Sequence, residues 1–417
     1  MDQSLTARDA ALRILAEAKR QPSLKIPLDD ALGHVLAEEV RSPLDIPAHT
    51  NSAMDGYACR GADVRGASAE RPVRLRVVEQ IPAGHFPRRA IGPGECARIF
   101  TGAPLPDGAD SIIRQEDTDL GTTTVTIVKD RDVGINFRQA GEDLKQGALA
   151  LPAGQLLGPA ELGVLASLAV AHPMVVRRPR VGILGSGDEI VDVDAPEEIL
   201  SGRKIASSNT HTLVALVKQA GGEPVNLGIA RDTRESLREH LERAFDCDLL
   251  VTSAGISVGE HDFVKPVLEE LGAELRFWKL RMRPGAPVGF GVLRGIPWVG
   301  LPGNPVSTMV TFELFVRPAI RKMAGHALPF RRSVPVRAGE AIKLGPKLQH
   351  FLRGVVTEER EGPVARLTGP QGSGILTSMV KANALLVIPE GQHETPAGSV
   401  VQALPLHMPL WGGEPGF

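Results

Sequence analysis

The sequence has few of the residues that hold small extracellular or zinc-binding domains together. Among 417 residues there are three cysteines, Cys59, Cys96 and Cys247, and no CxxC pair. An odd number of widely spaced cysteines indicates neither a disulfide framework nor a zinc cluster. We therefore expect a reducing compartment, the cytoplasm. At ~100–200 residues per domain, the length predicts about three domains with buried cores of their own.

Neither sign of charge is in large excess. Lysine and arginine total 47, aspartate and glutamate total 49, and the formal net charge is −2. Such a balance provides no general positive field that would hold a nucleic acid or an anionic membrane. We expect neither partner, and any anionic ligand must be bound by a local group of residues.

A long apolar segment is also missing. The most apolar stretch, 156–176, is interrupted by Pro159 and Pro173. About twelve helical residues between these prolines would extend roughly 18 Å, which is too short for a ~30 Å hydrocarbon core. The amino terminus, MDQSLTARDA, lacks the basic and then apolar layout of a signal peptide. The stretch therefore predicts a buried helix and not a membrane span.

The order of the apolar patterns predicts that the first part of the chain forms two domains. Thr6 and Asp9 form a capping pattern at the start of an amino-terminal helix. Short β-rich runs then fill 46–144, and a further helical run covers 158–171. We expect that run to pack against the amino-terminal helices. A β-rich domain at 46–144 would then be inserted into a helical domain formed by 1–45 and 145–179.

Short apolar runs and amphipathic runs alternate over 180–328. This alternation is typical of a parallel α/β sheet with helices on both faces. The expected strands are 181–184, 225–229, 249–252 and 298–301, and the expected helices are 209–220, 233–245, 263–271 and 305–323. The remaining segment, 329–417, is predicted to be a small β barrel or sandwich. The expected fold class is therefore multidomain, α/β plus β.

Polar and small residues follow each of the four expected α/β strands. Because the carboxyl ends of parallel strands lie at one edge of a sheet, these loops should form one ligand site. The loop after the third strand, 253–262, is rich in small residues and predicts a cradle for phosphate. Glu189, Asp232 and Asp262 on the same edge would repel phosphate unless a divalent cation lay between them. They predict Mg²⁺ with oxygen ligands, and the alternative is that they cap helices.

Familiar nucleotide-binding and hydrolase motifs are absent. The sequence has no GxxxxGK[ST] P-loop, no HExxH zinc pair, and no GxGxxG after the strand at 181–184. An ordinary P-loop NTPase or NAD enzyme is therefore disfavoured.

Seven motifs follow one another along nearly the whole chain. They are NSAMDGYA at 51–58, RIFTGAPLPDGAD from Arg98, QAGEDLKQG from Gln139, GSGDE at 185–189, SAGISVGEHD from Ser253, RPGAP at 283–287 and LPGNPVS at 301–307. Individually, several of them would be ordinary turns. In this order and spacing, they resemble the molybdopterin molybdenumtransferases, the family that includes the gephyrin E domain.

The resemblance implies a four-part subunit in an elongated homodimer, whose cleft combines the α/β domain of one chain with the β-rich domain of the other. It also implies the reaction. Molybdenum from molybdate is inserted into the dithiolene of adenylylated molybdopterin, the phosphoric anhydride is cleaved, and AMP is released. Mg²⁺ is the expected cofactor, and a molybdopterin adenylyltransferase and apo-molybdoenzymes are expected as further partners.

Positions that match the family motifs receive roles from the same resemblance. The implied catalytic residues are Asp55, Thr101, Asp143, Glu189, Asp232 and Asp262, and the last three of these are the implied metal ligands. The implied substrate-binding residues are Ser253, Gly255, Ser257, Gly259, Lys279, Arg283, Pro302, Asn304, Pro305, Arg353 and Ser373. Because both substrates are anions, carboxylates must act through the metal while Lys and Arg bind directly.

The sequence departs from the family pattern at four positions, Ser207, Ala254, Arg283 and Ala286. Ala254 stands where the family has glycine, and a position with φ below zero would tolerate its Cβ. At Ala286 a cation near the anion end of the cleft is gone. Three alternatives therefore stay open: a tungstate-preferring paralogue, a non-catalytic scaffold of the same fold, and an enzyme for a related anion or pterin nucleotide.

Overall fold

The chain folds into two compact units. The structure, a computed structural model, describes residues 5–256, 263–345 and 347–407. The larger unit comprises Met1–Ala37, Gly154–Gly158 and His172–Phe417, and the smaller unit comprises Glu38–Ala153 and Pro159–Ala171. The four-part division expected from the sequence is finer than these two units and stays a prediction.

The elements are numbered in chain order. The helices are α1 (Ala7–Glu17), α2 (Gly61–Val64), α3 (Pro159–Ser167), α4 (Pro196–Leu200), α5 (Ser208–Ala220), α6 (Arg234–Glu242), α7 (Val264–Glu270), α8 (Pro305–Thr311), α9 (Arg317–Met323) and α10 (Thr377–Lys381), with a π-helical turn at Phe312–Val316. The strands up to residue 176 are β1 (Ser23–Lys25), β2 (Val40–Arg41), β3 (Asn51–Ser52), β4 (Gly56–Cys59), β5 (Val73–Ile81), β6 (Glu95–Ile99), β7 (Ser111–Arg114), β8 (Thr124–Ile127), β9 (Phe137–Arg138), β10 (Leu149–Leu151) and β11 (Met174–Val176). The strands up to residue 301 are β12 (Arg180–Ser186), β13 (Ile190–Val191), β14 (Ile205–Ala206), β15 (Glu223–Ala230), β16 (Leu249–Ser253), β17 (Ala273–Lys279), β18 (Met282–Arg283), β19 (Pro287–Leu293) and β20 (Ile296–Leu301). The remaining strands are β21 (Val334–Ala338), β22 (Ile342–Lys343), β23 (Gln349–Glu359), β24 (Gly362–Leu367), β25 (Ala384–Ile388), β26 (Glu394–Thr395) and β27 (Val400–Pro405).

The larger unit contains a six-stranded mixed sheet in the order β15-β12-β16-β20-β19-β17. The first four strands are parallel, as the sequence predicts. β19 runs antiparallel to both of its neighbours, β20 and β17, so the sheet is mixed, and β17 and β19 are two strands that the sequence did not predict. β19 contains Pro287, Gly289 and Gly291, which weaken the sequence signal of a strand. A two-residue turn with positive φ at Arg294 (49°) and Gly295 (86°) joins it to β20.

Helices cover both faces of this sheet, which confirms the α/β fold class. Helices α1, α5, α8 and α9 pack on one face, and α6 and α7 pack on the other. Helix α1 begins where the sequence predicts, because the Thr6 hydroxyl accepts a hydrogen bond from Asp9 N at 3.1 Å. Ala10 and Ile14 of this helix are buried against the sheet side of the core.

The strands after α9 form a closed barrel. β23, β24, β21, β27 and β25 are neighbours in that order, and β25 pairs with β23 to close the ring. Strand β18 lies beside β23, and its pairing is parallel. Leu352, Leu386 and Ala403 belong to the barrel core. The sequence left a barrel and a sandwich open, and the closed ring identifies the barrel.

The smaller unit contains a five-stranded sheet in the order β7-β4-β6-β5-β8. Tyr57, the only tyrosine of the sequence, is buried in this sheet, and its hydroxyl donates to Gly121 O at 3.0 Å. The Arg98 guanidinium lies 4.8 Å from the centre of the Tyr57 ring, which is a cation–π contact. The smaller unit thus has its own sheet and core.

Helix α3 differs from the sequence-based expectation of a buried helix. It belongs to the smaller unit, together with the β-rich segment, whereas α1 belongs to the larger unit. Leu165 is the buried residue of α3. Its apolar residues are mostly small and spread around the helix, so no single face requires burial. Among the described residues, no helix is long and apolar enough to cross a membrane.

A buried ion pair stabilises the smaller unit. Asp132 is 1% exposed, and it accepts hydrogen bonds from Arg114 Nε and Nη2, both at 2.8 Å. The Arg114 amide donates to the same carboxylate at 3.1 Å. Burial raises the pKa of Asp132, but the hydrogen bonds from Arg114 outweigh burial and bring the pKa to about 2.

We expect Asp132→Asn to lower the free energy of unfolding by about 3 kcal/mol at pH 7, because Arg114 loses its paired acceptor. An unfolded Asp has a pKa of about 3.9, so the stabilisation is complete above that pH and is lost as the pH falls towards 2. Urea unfolding of the wild type and the variant from pH 7 to pH 3 measures both effects.

The exposed pair of Glu359 and Arg366, with an N–O distance of 2.7 Å, provides the control. Glu359→Gln should change the free energy of unfolding by no more than about 1 kcal/mol. Equal losses in the two variants, or an Asp132→Asn protein with the pH dependence of the wild type, would contradict the assignment.

Candidate functional site

A cleft of about 610 Å³ lies at the carboxyl edge of the parallel strands in the larger unit. Strands β12, β16 and β20 end there, and the loops that follow them provide the walls. The residues predicted from sequence that line it are Glu189, Ser253, Gly255, Pro302, Asn304 and Pro305. The structure therefore brings together loops from three neighbouring strands, as the position of the strand ends predicts.

The loop after β16 has an unusual backbone. Ala254 has a φ of 76° and Gly255 has a φ of 68°. A Cβ on Gly255 would lie 2.3 Å from Val264 Cγ2, so only glycine fits there. The condition under which a Cβ at position 254 would be tolerated, a φ below zero, is not met, because Ala254 lies in the left-handed region. The cost for a residue with a Cβ is roughly 1–2 kcal/mol.

Asn209 connects the loops on two sides of the cleft, and the sequence analysis did not identify it as a site residue. Its Nδ2 donates to Ser253 Oγ at 2.9 Å and to Gly303 O at 2.7 Å. It lies in the first turn of α5, which begins at the same edge of the sheet. A polar residue in the first turn of a helix after a strand was the available signal.

The surroundings of Ser207 accommodate a serine at this departure from the family pattern. It is 5% exposed and its hydroxyl lies 2.7 Å from the buried Thr210 hydroxyl, so the two satisfy each other. An aspartate at this position would require a different partner inside the protein. The neighbouring wall of the cleft is thus neutral here.

Hydrogen bonds from α8 fix the loop that carries Pro302 and Pro305. The Thr308 hydroxyl lies 2.6 Å from Pro302 O and 3.0 Å from Asn304 O. The amide of Val306 at the start of α8 donates to Ser373 O at 3.1 Å. Ser373 therefore contacts the edge of the cleft through its backbone, and the adjacent Gly374 lines the cleft.

The predicted acidic residues lie at the ends of β12 and β15. Glu189 is exposed, and its carboxylate folds back so closely that a Cβ on Gly187 would lie 2.8 Å from Glu189 Oε2. Asp188 N donates to Asp232 Oδ2 at 3.3 Å, and Asp232 N donates to Asp188 Oδ1 at 3.2 Å. This reciprocal pair fixes the loop after β15 against the loop after β12.

The described acids do not by themselves make a metal centre. Within 5–256, 263–345 and 347–407, no three His, Cys, Asp or Glu side chains are placed to hold a metal ion. Glu189 and Asp232 are two of the three predicted ligands, whereas Asp262 lies outside the described residues, as do Ser257 and Gly259. Magnesium therefore stays a prediction.

The predicted cations have different surroundings. Lys279 and Arg283 are exposed at the end of β17 and in β18. Arg353, by contrast, is 0% exposed, and burial lowers the pKa of its guanidinium. It donates to the carbonyls of Gln371 at 3.1 Å and Gly372 at 2.9 Å, and its Nε donates to the Ser378 hydroxyl at 3.0 Å. In this structure Arg353 holds the 369–374 loop and does not line the cleft.

Three predicted catalytic residues belong to the smaller unit. Asp55 Oδ1 accepts hydrogen bonds from the Thr101 amide and the Thr101 hydroxyl, both at 2.9 Å. These two hydrogen bonds lower the pKa of Asp55. Asp143 is exposed, and its amide donates to Ile46 O at 3.0 Å. The structure brings Asp55 and Thr101 together as a pair, with Asp143 on a separate loop.

Three family models match consecutive parts of the chain. The "MoeA N-terminal region (domain I and II)" matches residues 5–169, the "probable molybdopterin binding domain" matches 182–322, and the "MoeA C-terminal region (domain IV)" matches 335–406. The cleft loops that follow β12, β16 and β20 all fall within the second of these matches.

Curated relatives and solved structures match over nearly the full length. A molybdopterin molybdenumtransferase of Nostoc sp. is 38% identical over 90% of this chain and 87% of its own length. Molybdopterin molybdenumtransferase 2 of Mycobacterium tuberculosis is 38% identical over 94% and 97%. The crystal structure of a molybdopterin biosynthesis moeA protein from Pyrococcus horikoshii OT3 superposes with a TM-score of 0.81, with 29% identity and coverage of 96% and 99%. Because three family models match successive parts of the chain and relatives are 38% identical over nearly its full length, the chain belongs to the molybdopterin molybdenumtransferase family.

Proposed function

We propose that this enzyme of molybdenum cofactor biosynthesis inserts molybdenum from molybdate into the dithiolene of adenylylated molybdopterin, cleaving the phosphoric anhydride and releasing AMP. The observation that carries the proposal is the cleft at the carboxyl edge of the sheet. Among the described residues, its lining combines small residues, hydroxyls and prolines with one acid, Glu189. Its volume of about 610 Å³ is in the range of sites for small-molecule ligands.

Backbone groups are well placed to bind the anionic parts of the substrate. Helix α5 begins at Ser208 on the wall of the cleft, and the amides of its first turn attract negative charge. In the loop after β16, Ala254 and Gly255 have φ angles in the left-handed region, and neither residue has a large side chain. We infer that the pterin phosphate lies between this loop and the start of α5.

Cleavage of the anhydride requires an attacking oxygen. The described residues offer no thiolate for this step, because Cys59, Cys96 and Cys247 are buried and burial raises the pKa of each thiol. We therefore propose that water attacks the AMP phosphorus while the anhydride bond to the pterin phosphate breaks, which releases AMP directly. If a molybdate oxygen attacks instead, the pterin phosphate leaves in the same way, and AMP is released when the Mo–O bond of the adenylylated molybdate breaks as molybdenum passes to the dithiolene. Glu189, on the cleft wall, is the carboxylate available to accept a proton there.

We also propose a cytoplasmic homodimer that receives its substrate from a molybdopterin adenylyltransferase and passes its product to apo-molybdoenzymes. The family resemblance supports this proposal, because it assigns functional roles both to the cleft and to Asp55 and Thr101, which belong to a different compact unit. In a homodimer, each active site can draw on both chains.

We expect Glu189→Gln to lower the rate of AMP release by about 100-fold or more, because the neutral amide cannot accept a proton or bind a cation. The assay mixes the full chain with adenylylated molybdopterin, molybdate and Mg²⁺, and measures AMP and the activation of an apo-molybdoenzyme. Chelation of the metal and its replacement test the magnesium prediction in the same assay.

Glu197→Gln on the exposed helix α4 is the matched control and should retain the wild-type rate. AMP release by the Glu189→Gln protein at the wild-type rate would contradict the role of Glu189. A wild-type protein that releases no AMP would favour the scaffold, and faster release with tungstate than with molybdate would identify the tungstate-preferring paralogue.

We expect Asn209→Asp to lower kcat/KM for AMP release by about tenfold or more, because a carboxylate cannot donate to Gly303 O and repels it. Asn226→Asp is the control, since Asn226 uses its Oδ1 only as an acceptor for Gly228 N at 3.0 Å and aspartate preserves that contact. Steady-state kinetics of both variants make the comparison. Equal rates in the two variants would show that Asn209 does not shape the cleft.

The Glu189→Gln variant tests the homodimer. Subunits with Glu189→Gln and subunits with Asp55→Ala should each release AMP at no more than about 1% of the wild-type rate alone. After random exchange, the mixture should regain about a quarter of the wild-type sites if each site takes one of these residues from each chain. No recovery, together with an active monomer in sedimentation, would contradict the shared site.

A further inference from the structure

A second polar pocket, of about 460 Å³, lies in the larger unit away from the cleft. It is lined by Gln219 at the end of α5, by Arg317 and Arg321 of α9, and by Phe330 and Arg331 after that helix. Helix α5 begins on the cleft wall at Ser208, and at 1.5 Å per residue Gln219 lies about 16 Å further along the helix. We call this site the arginine pocket.

One carboxylate serves two of the arginines. Glu313 is 8% exposed and Arg317 is 6% exposed. Arg317 donates to Glu313 from Nε at 2.7 Å and from Nη2 at 2.6 Å. Arg331 Nε donates to Glu313 Oε2 at 2.9 Å. Both carboxylate oxygens are therefore already engaged, and Glu313 has little capacity for a third cation.

Arg321 is the third guanidinium of the arginine pocket. In the part of the chain that the structure describes, no carboxylate lies within salt-bridge distance of it, and its Nη2 contacts Leu328 O at 3.4 Å. Burial lowers the pKa of Arg321, and the charges of Arg317 and Arg331 lower it further. The described part of the arginine pocket thus contains three guanidinium groups, of which two contact the one carboxylate, Glu313. The pocket therefore has an excess of two positive charges.

The neighbouring histidine does not add a charge at neutral pH. Burial, together with the charge of Arg321, lowers the pKa of His326 to about 4, so its ring is neutral at pH 7. The excess positive charge of the pocket therefore comes from the guanidinium groups, which stay protonated.

The local backbone also favours a binding role. Glu313 lies in the π-helical turn Phe312–Val316 between α8 and α9. Such turns are rare in proteins, and many of those that occur are found at functional sites. A buried ion pair seldom stabilises a protein more than apolar residues of the same size would. A half-buried arginine without a carboxylate adds like-charge repulsion. An anion between these groups would remove that repulsion.

We propose that the arginine pocket binds a dianionic phosphate group, either inorganic phosphate or the phosphate of a small monoester. Guanidinium groups bind phosphate oxygens through pairs of parallel N–H donors, and the charge of a dianion matches the excess in the pocket. Phe330, which is 43% exposed, provides an apolar wall for the organic part of a monoester. This site is separate from the cleft of the proposed reaction.

The test compares phosphate with chloride at equal ionic strength on the full chain. Phosphate should raise the thermal unfolding temperature of the wild type, whereas chloride, which only screens charge, should have a smaller effect. Calorimetric titration gives the dissociation constant. Arg321→Ala should weaken phosphate binding at least tenfold, while without phosphate its unfolding temperature should be equal to or above that of the wild type, because like-charge repulsion is removed.

Arg332→Ala, the neighbouring exposed arginine that does not line the pocket, is the matched control and should bind phosphate like the wild type. A second titration with glycerol 3-phosphate distinguishes the two sources: tighter binding than phosphate identifies a phosphorylated metabolite, and weaker binding identifies the free ion. Equal effects of phosphate and chloride on the wild type, or unchanged phosphate binding by Arg321→Ala, would overturn the proposal.

Discussion

The side-chain amide of Asn209 is the contact on which the shape of the cleft depends. It joins Ser253 Oγ at 2.9 Å to Gly303 O at 2.7 Å, and so holds together the loops that follow β16 and β20. These neighbouring strands are paired only as far as Ser253 and Leu301. Ala254 N still donates to Leu301 O at 3.1 Å, and beyond that contact the side chain of Asn209 connects the two loops. A site fixed in this way binds without first ordering its walls.

The same principle explains why Arg353 contributes to the site without reaching it. Its guanidinium is buried and its donors are used by the backbone of the 369–374 loop and by Ser378. That loop in turn accepts the amide of Val306 at the start of α8. A residue that the family pattern assigns to an anion thus supports the wall of the cleft in this structure.

The sequence predicted much of the fold because local patterns decide it. The four parallel strands and the helices between them followed from alternating apolar periods, and the capping contact of Thr6 with Asp9 formed as expected. The sequence did not predict β17 and β19. In β19, two glycines and a proline weaken the sequence signal of a strand. The φ of Ala254 and the bridge made by Asn209 depend on contacts between segments distant in sequence, which no local pattern contains.

The central claim is that the cleft at the strand edge binds molybdopterin. Hydrogen–deuterium exchange of the full chain, with and without molybdopterin, tests it most directly because the method reports protection segment by segment. We expect the ligand to slow exchange in 207–210, 253–256 and 302–306, which border the cleft, and to leave the barrel strands β21 and β24 unchanged. Protection confined to other segments, with none around the cleft, would contradict the claim.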